Sequence, residues 1–104
     1  MKLEVNPVSA LTGYAQIIQR RVMEKLNYPQ AAKEAGFQGT VQIALHLSSQ
    51  GELLDVKIKS SSGYKILDEN VIATIKEIGL FPPLPSSIEE KEIWIDIPIV
   101  YQLE

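Results

Sequence analysis

The sequence predicts an α+β fold: a two-layer sandwich in which a small three-stranded antiparallel sheet, of strand order 2-1-3, carries helices on one face, together with an N-terminal helix. Three observations predict it. Apolar residues recur every three or four positions between Leu11 and Leu26 and between Ile66 and Ile78, which is the helical period. They alternate singly over Val41–Ser48, Leu54–Ile58 and Ile93–Leu103, which is the period of a strand with one buried face. The second helical stretch lies between the second and third strand segments. It therefore provides a crossover that sets the last strand antiparallel beside the first and leaves it on an edge.

In the first stretch Leu11, Tyr14, Ala15, Ile18, Val22 and Leu26 form the apolar stripe, and Gln19, Arg20, Arg21 and Glu24 form the polar side. Pro7 and Ser9 suit its entry, with Ser9 as the expected N-cap. Gly13 weakens the first turns by about 1 kcal/mol relative to alanine. Asn27-Tyr28-Pro29 ends the helix, because a residue before proline is driven out of the helical region. Pro29 then suits the first turn of a short second helix through Ala31, Ala32 and Glu34, closed by Gly36 in the left-handed region with Phe37 folding back.

Val41, Ile43, Leu45 and Leu47 alternate with Gln42, Ala44, His46 and Ser48, and Ser49-Gln50-Gly51 supplies a turn. The return strand sets Leu54, Val56 and Ile58 against Asp55, Lys57 and Lys59, so both strands are expected to bury one face. Ser60-Ser61-Ser62-Gly63 leads into the last helix, whose stripe is Ile66, Leu67, Val71, Ile75 and Ile78. Asp68 and Glu69 are expected in its first turn, where the helix dipole favours them. Gly79 caps it, and Phe81-Pro82-Pro83-Leu84-Pro85 continues neither helix nor central strand. Ser86 to Glu92 reads as polar loop. In the last strand Ile93, Ile95, Ile97, Ile99, Tyr101 and Leu103 alternate with Trp94, Asp96, Pro98, Val100 and Gln102.

The 104 residues make one domain, 45% hydrophobic and 22% charged, with enough apolar surface for a packed core and no cysteine to staple it. A net charge of −3 argues against nucleic acid or an anionic membrane surface as partner. No apolar run approaches the ~20 residues of a membrane span, and the N-terminus lacks a signal-peptide pattern. Catalysis finds no support. His46 is the sole histidine and reads as a solvated residue on the polar face of its strand. Glu89, Glu90 and Glu92 are neighbours in a loop rather than carboxylates facing across a cleft, and the isolated glycines form no phosphate cradle. The expectation is a non-catalytic domain without metal or cofactor.

Two features carry partner chemistry. The proline run contains a PxxP spacing, readable as a polyproline ligand, although a rigid connector with Phe81 and Leu84 capping the core is the favoured reading. The last strand is a long apolar edge, which natural proteins keep only with protection or purpose. Pro98 at its centre has no N–H and tolerates only the unpaired side of a strand. If it faces outward, Trp94, Asp96, Val100 and Gln102 offer their backbone groups to a newcomer while the odd-numbered residues pair inward. Controlled strand addition and simple edge protection both fit this pattern. Trp94 is either an exposed anchor or packed under the N-terminal helix.

Tyr28-Pro29 with Ala32, Gly39 and Val41, Gly51, Ser61-Ser62-Gly63, Leu67-Asp68, Phe81-Pro82-Pro83 and Ile97-Pro98-Ile99 occur in an order and spacing that resembles the C-terminal domain of TonB-family energy transducers. The resemblance runs from about Tyr14 to Leu103. It implies residues 1–27 as an N-terminal helical segment leading into a domain at 28–104. It further implies a periplasmic location in a Gram-negative bacterium, with the full-length protein anchored in the inner membrane and working with ExbB and ExbD. The final strand, from Trp94 through Ile95, Asp96, Ile97, Pro98, Ile99, Val100 and Tyr101 to Gln102, is then expected to recruit the Ton box, a short peptide of outer-membrane transporters. Lys25, Asn27 and Tyr28 are expected to contact the transporter too, although family members carry Gln and Pro just before the Tyr-Pro pair. Met1 and Leu103-Glu104 are expected to be cloning residues on a piece of a longer protein. A TolA-like envelope-bridging domain is the alternative, since TolA shares the general fold, and a homodimer through the last strand is a third reading.

Overall fold

A computed structural model describes residues 7–103, with side chains from Ala10 onward. The elements run α1 (Pro7–Lys25), α2 (Gln30–Ala35), β1 (Gly39–Ser48), β2 (Leu53–Ser60), α3 (Lys65–Ile78) and β3 (Glu92–Tyr101). Helix α1 begins at Pro7, so Ser9 lies inside the helix rather than at its cap, and its side chain is outside the described residues. Met1 and Glu104 also lie outside them. Helix α2 ends as expected: Gly36 takes φ 73°, its N–H reaches the Lys33 carbonyl, and the Phe37 N–H returns to Ala32. These two bonds satisfy carbonyls that the helix end would otherwise leave open.

The three strands form one antiparallel sheet of order β2-β1-β3, as the crossover through α3 requires. β1 and β3 pair over ten consecutive residues, from Gly39 opposite Tyr101 to Ser48 opposite Glu92, without a register shift. Glu92 therefore starts the strand and is not part of the preceding loop. β1 and β2 pair less regularly, with shifts between Gln42 and Ile43 and between His46 and Leu47. The second shift overturns the simple alternation read for β2. Leu53 rather than Leu54 stands opposite Leu47, and Leu54 is left 46% exposed. The bulge leaves Leu54 without a partner while Val56 and Ile58 keep their places opposite Leu45 and Ile43, and alternation in the sequence cannot register it.

The core lies between the sheet and the helices. Val41, Ile43, Leu45, Leu47, Ile95, Ile97, Ile99 and Tyr101 from the sheet meet Tyr14, Ile18 and Val22 of α1 and Leu67, Val71 and Ile75 of α3. Helix α1 thus shares one core with the rest of the chain. The proline segment closes its end: Phe81 is buried, its N–H bonds the Gly51 carbonyl at 2.8 Å, and the Leu84 N–H bonds Ser49 at 3.0 Å. Tyr14 donates its phenol to the Pro82 carbonyl at 2.6 Å. The run is a connector whose main chain is already engaged on the hairpin turn and on α1.

Asp68 does more than sit favourably in the first turn of α3. Its carboxylate accepts the Ser61 hydroxyl, and it accepts the Ser62 N–H at 3.0 Å and the Ser62 hydroxyl at 2.7 Å. Burial pushes this carboxyl up, but the three hydrogen bonds from Ser61 and Ser62 outweigh burial and hold it below the ordinary aspartate range. Glu69 lies beyond the first turn and faces Lys65 at 3.6 Å.

Candidate functional site

Among the described residues, β3 is paired on one side only, to β1. Residues in an antiparallel pair alternate between hydrogen-bonded and non-hydrogen-bonded positions. Pro98 stands opposite Gln42 and has no N–H, so it occupies a non-hydrogen-bonded position and turns its carbonyl outward. There the Gln19 Nε2 donates to it at 2.8 Å. The same alternation turns the main-chain groups of Trp94, Asp96 and Val100 outward and those of Ile95, Ile97 and Ile99 toward β1. Gln102 follows the last strand residue, and the adjoining Leu103 N–H is held by Gln38 Oε1 at 2.8 Å.

The side chains follow the pleat in the opposite sense from the main chain. Ile95, Ile97, Ile99 and Tyr101 are buried under the helices, while Trp94, Asp96, Pro98 and Val100 stand on the open face of the sheet. Trp94 is 45% exposed, so it is not packed away under α1. It stacks on His46, its direct cross-strand partner, with ring centroids 4.6 Å apart and planes 10° apart, and Lys57 Nζ stands 5.1 Å from the indole. His46 is consequently half-buried, not freely solvated, and its Nε2 lies 3.3 Å from Glu92 Oε1. Lys59 pairs with Asp96 at 2.9 Å. Stacking and ion pairs thus fix this face side chain to side chain, and the main-chain edge beside it has no second strand paired to it among the described residues.

Helix α1 runs alongside that edge. Leu11, Thr12 and Ala15 share a groove with Trp94, Ile95 and Asp96, and Gln19, one turn on, reaches Pro98. Past Pro98 the edge continues through Val100, which is 43% exposed. The residues ahead of Tyr28-Pro29 separate in their surroundings. Lys25 faces Glu77 of α3 at 3.6 Å. The Asn27 carbonyl accepts from Asn70 at 2.7 Å. Tyr28 packs edge-on against Tyr101, ring centroids 5.2 Å apart, and donates its phenol to the Phe37 carbonyl. Tyr28 is therefore at the end of β3, whereas Lys25 is turned to α3. Burial raises the Tyr101 phenol above its ordinary value, and Asn70 bonds it at 2.8 Å.

The opposite edge of the sheet differs. β2 carries both register shifts, and the Asp55 carboxylate accepts the Val56 N–H at 2.8 Å. Bulges and a local side-chain bond close an edge against pairing. Among the described residues no group of three or more His, Cys, Asp or Glu is placed to hold a metal, and no helix is long and apolar enough to cross a membrane. Nothing in the sequence singles out Gln19. It is one of several polar residues on the outer side of α1, and its partner lies 79 residues away.

These features define a small α+β domain with one edge strand broken by bulges and one regular edge strand flanked by α1. The family model for the C-terminal domain of the Gram-negative bacterial TonB protein matches residues 24–103, and the chain belongs to that family. It is 24% identical over 98 residues to Protein TonB of Pasteurella multocida, covering 94% of this chain and 37% of that protein. It is 32% identical over 77 residues to Protein TonB of Vibrio cholerae, covering 74% and 31%. The chain spans about a third of the length of the curated relatives it matches. Among solved structures, the solution structure of the Helicobacter pylori TonB C-terminal domain matches with a TM-score of 0.75 at 24% identity, over 100% of this chain and 98% of that one. The solution structure of TolAIII bound to a peptide from the N-terminus of TolB shares the fold, with a TM-score of 0.67 at 17% identity, over 100% and 81%.

Proposed function

We propose that this domain is a non-catalytic periplasmic coupling module that takes the Ton box of an outer-membrane transporter as an added strand on β3. In the full-length protein, anchored in the inner membrane and working with ExbB and ExbD, it would couple the proton-motive force to import of siderophores, metals or vitamins. The observation that carries the reading is the contrast between the edges. β3 presents ten regular residues paired on one side, while β2 is broken by two register shifts. Main-chain pairing gives affinity with little dependence on side chains, so one module serves many transporters. Hydrogen bonds in a row also share a load applied along the strand, as pulling on a transporter requires.

The binding residues in this reading are Trp94 to Gln102. The even-numbered members offer main-chain groups, and Ile95, Ile97, Ile99 and Tyr101 anchor the strand in the core. Tyr28 supports its end through Tyr101, with Asn27 and Lys25 flanking. Titrating the isotope-labelled domain with a synthetic Ton box peptide tests it. Amide shifts are expected at residues 94–102, and Val100→Pro, which deletes an outward donor, is expected to abolish them with the fold intact. Shifts confined to the proline segment or to His46 would overturn the reading. A second reading, a TolA-like envelope-bridging domain, is favoured by the likeness to TolAIII along the whole chain. Preference for peptides of other envelope proteins over the Ton box peptide would select it. A dimer that forms without peptide would select self-association through β3.

A further inference from the structure

We propose that Gln19 holds, in the free domain, the place that an amide of the added strand takes on the Pro98 carbonyl, so that partner entry exchanges one donor for another beside α1. The inference rests on the strand-addition reading and names the residue that regulates it. Pro98 contributes a single outward group, its carbonyl, because proline has no N–H. A carboxamide has the chemistry of a peptide unit, and the Gln19 nitrogen stands 2.8 Å from that carbonyl, the length of a ladder bond. The free edge is thereby satisfied at its centre by a side chain from a separate element.

The two edges of the sheet use related devices with different consequences. Asp55 covers the neighbouring Val56 N–H within its own bulged strand. Gln19 covers Pro98 from a helix whose body is fixed by other residues: Tyr14, Ile18 and Val22 are buried, and Tyr14 is bonded to Pro82. The side chain of Gln19 is only half-buried, so a change of rotamer is enough to release the Pro98 carbonyl. Leu11, Thr12 and Ala15 already share a groove with Trp94, Ile95 and Asp96, so the entering strand meets this face of α1 as it takes its place beside β3.

The test compares the native domain with Gln19→Ala and Gln19→Glu. Alanine removes the placeholder, glutamate keeps its size without a donor, and both are good helix formers. Each is titrated calorimetrically with a synthetic Ton box peptide. Binding is expected to tighten about fivefold in both variants, the equivalent of one net hydrogen bond of ~1 kcal/mol. In the native domain, the Gln19 side-chain NH2 resonances are expected to move to solvent-exposed values as the peptide saturates. Equal or weaker binding by the variants, with shifts along β3 intact and the Gln19 resonances unmoved, would overturn the placeholder role while leaving strand addition standing. Absence of binding by all three proteins would overturn strand addition, and the placeholder with it.

Discussion

Gly51→Ala should be among the most damaging single-methyl changes in this domain, and its cost can be worked out from the structure. Gly51 sits at φ 88°, where a side chain costs about 1–2 kcal/mol. An added Cβ would stand 2.0 Å from the Phe81 carbonyl oxygen and 2.8 Å from that of Pro82, both rigid backbone, so the proline segment must move. Moving it breaks the Phe81 N–H bond to Gly51 and strains the Leu84 N–H bond to Ser49, each worth about 1 kcal/mol net. It also loosens the burial of Phe81, at a cost of roughly a further 1 kcal/mol if about half of its burial is lost. The sum is about 4–5 kcal/mol, much of the stability of a domain this size. The consequence reaches β3, because Pro82 also holds the phenol of Tyr14 and thereby α1 beside that strand. Urea unfolding followed by far-UV circular dichroism measures the loss. A loss under 1 kcal/mol would refute the argument, since it would mean that the hairpin turn and the proline segment do not press together as described.

Asp68→Asn should cost about 1–2 kcal/mol at neutral pH, because the charge-assisted bonds from Ser61 and Ser62 weaken. The folded carboxyl lies below its ordinary value of about 3.9, so its contribution is present above that pH and is lost as pH falls through the folded value. Urea midpoints from pH 7 to pH 2 should therefore decline less steeply in the variant than in the native domain, and parallel curves would contradict this. Gly13→Ala should stabilise by about 0.5–1 kcal/mol, since among the described residues nothing lies within 4 Å of the added methyl inside α1. A thermal scan should show Tm raised by about 3–6 °C, and a lower Tm would mean that the helix does not pass regularly through residue 13.

What could be read from the sequence follows how local the determining physics is. The centres of the α1 and α3 stripes, the left-handed Gly36 closing α2 and the alternation of β3 depend on neighbours in the chain and are where the residues place them, whereas at the ends of the α1 stripe Leu11 is exposed and Leu26 lies past the helix. The strand order follows too, because a helix between two strand segments leaves few ways to close the sheet. The bulge at Leu54 gives no sign of itself, since Leu54, Val56 and Ile58 alternate in the sequence whether or not Leu54 takes part in the pairing. His46 was placed on the correct face, but its stacking on Trp94 needs a register between β1 and β3 that neither segment encodes alone. Pro98 announced an outward-facing position through its missing N–H. The residue that answers it, Gln19, gave no signal, because a carboxamide on a polar helix face is ordinary until the helix is laid along the edge.

The same structure explains why an accessible edge need not make the free domain aggregate. Pro98 removes one donor, Gln19 covers the matching acceptor, and β2 is bulged. In the strand-addition reading, pairing would begin around Val100, which is exposed and lies past Pro98.

Hydrogen-bond scalar couplings across the interface would test the central claim most directly. With the domain and a bound Ton box peptide both isotope-labelled, couplings are predicted from the Asp96 and Val100 amides to peptide carbonyls, with none from Ile97 or Ile99. A saturated complex lacking such couplings, or showing them from the odd-numbered amides, would contradict it.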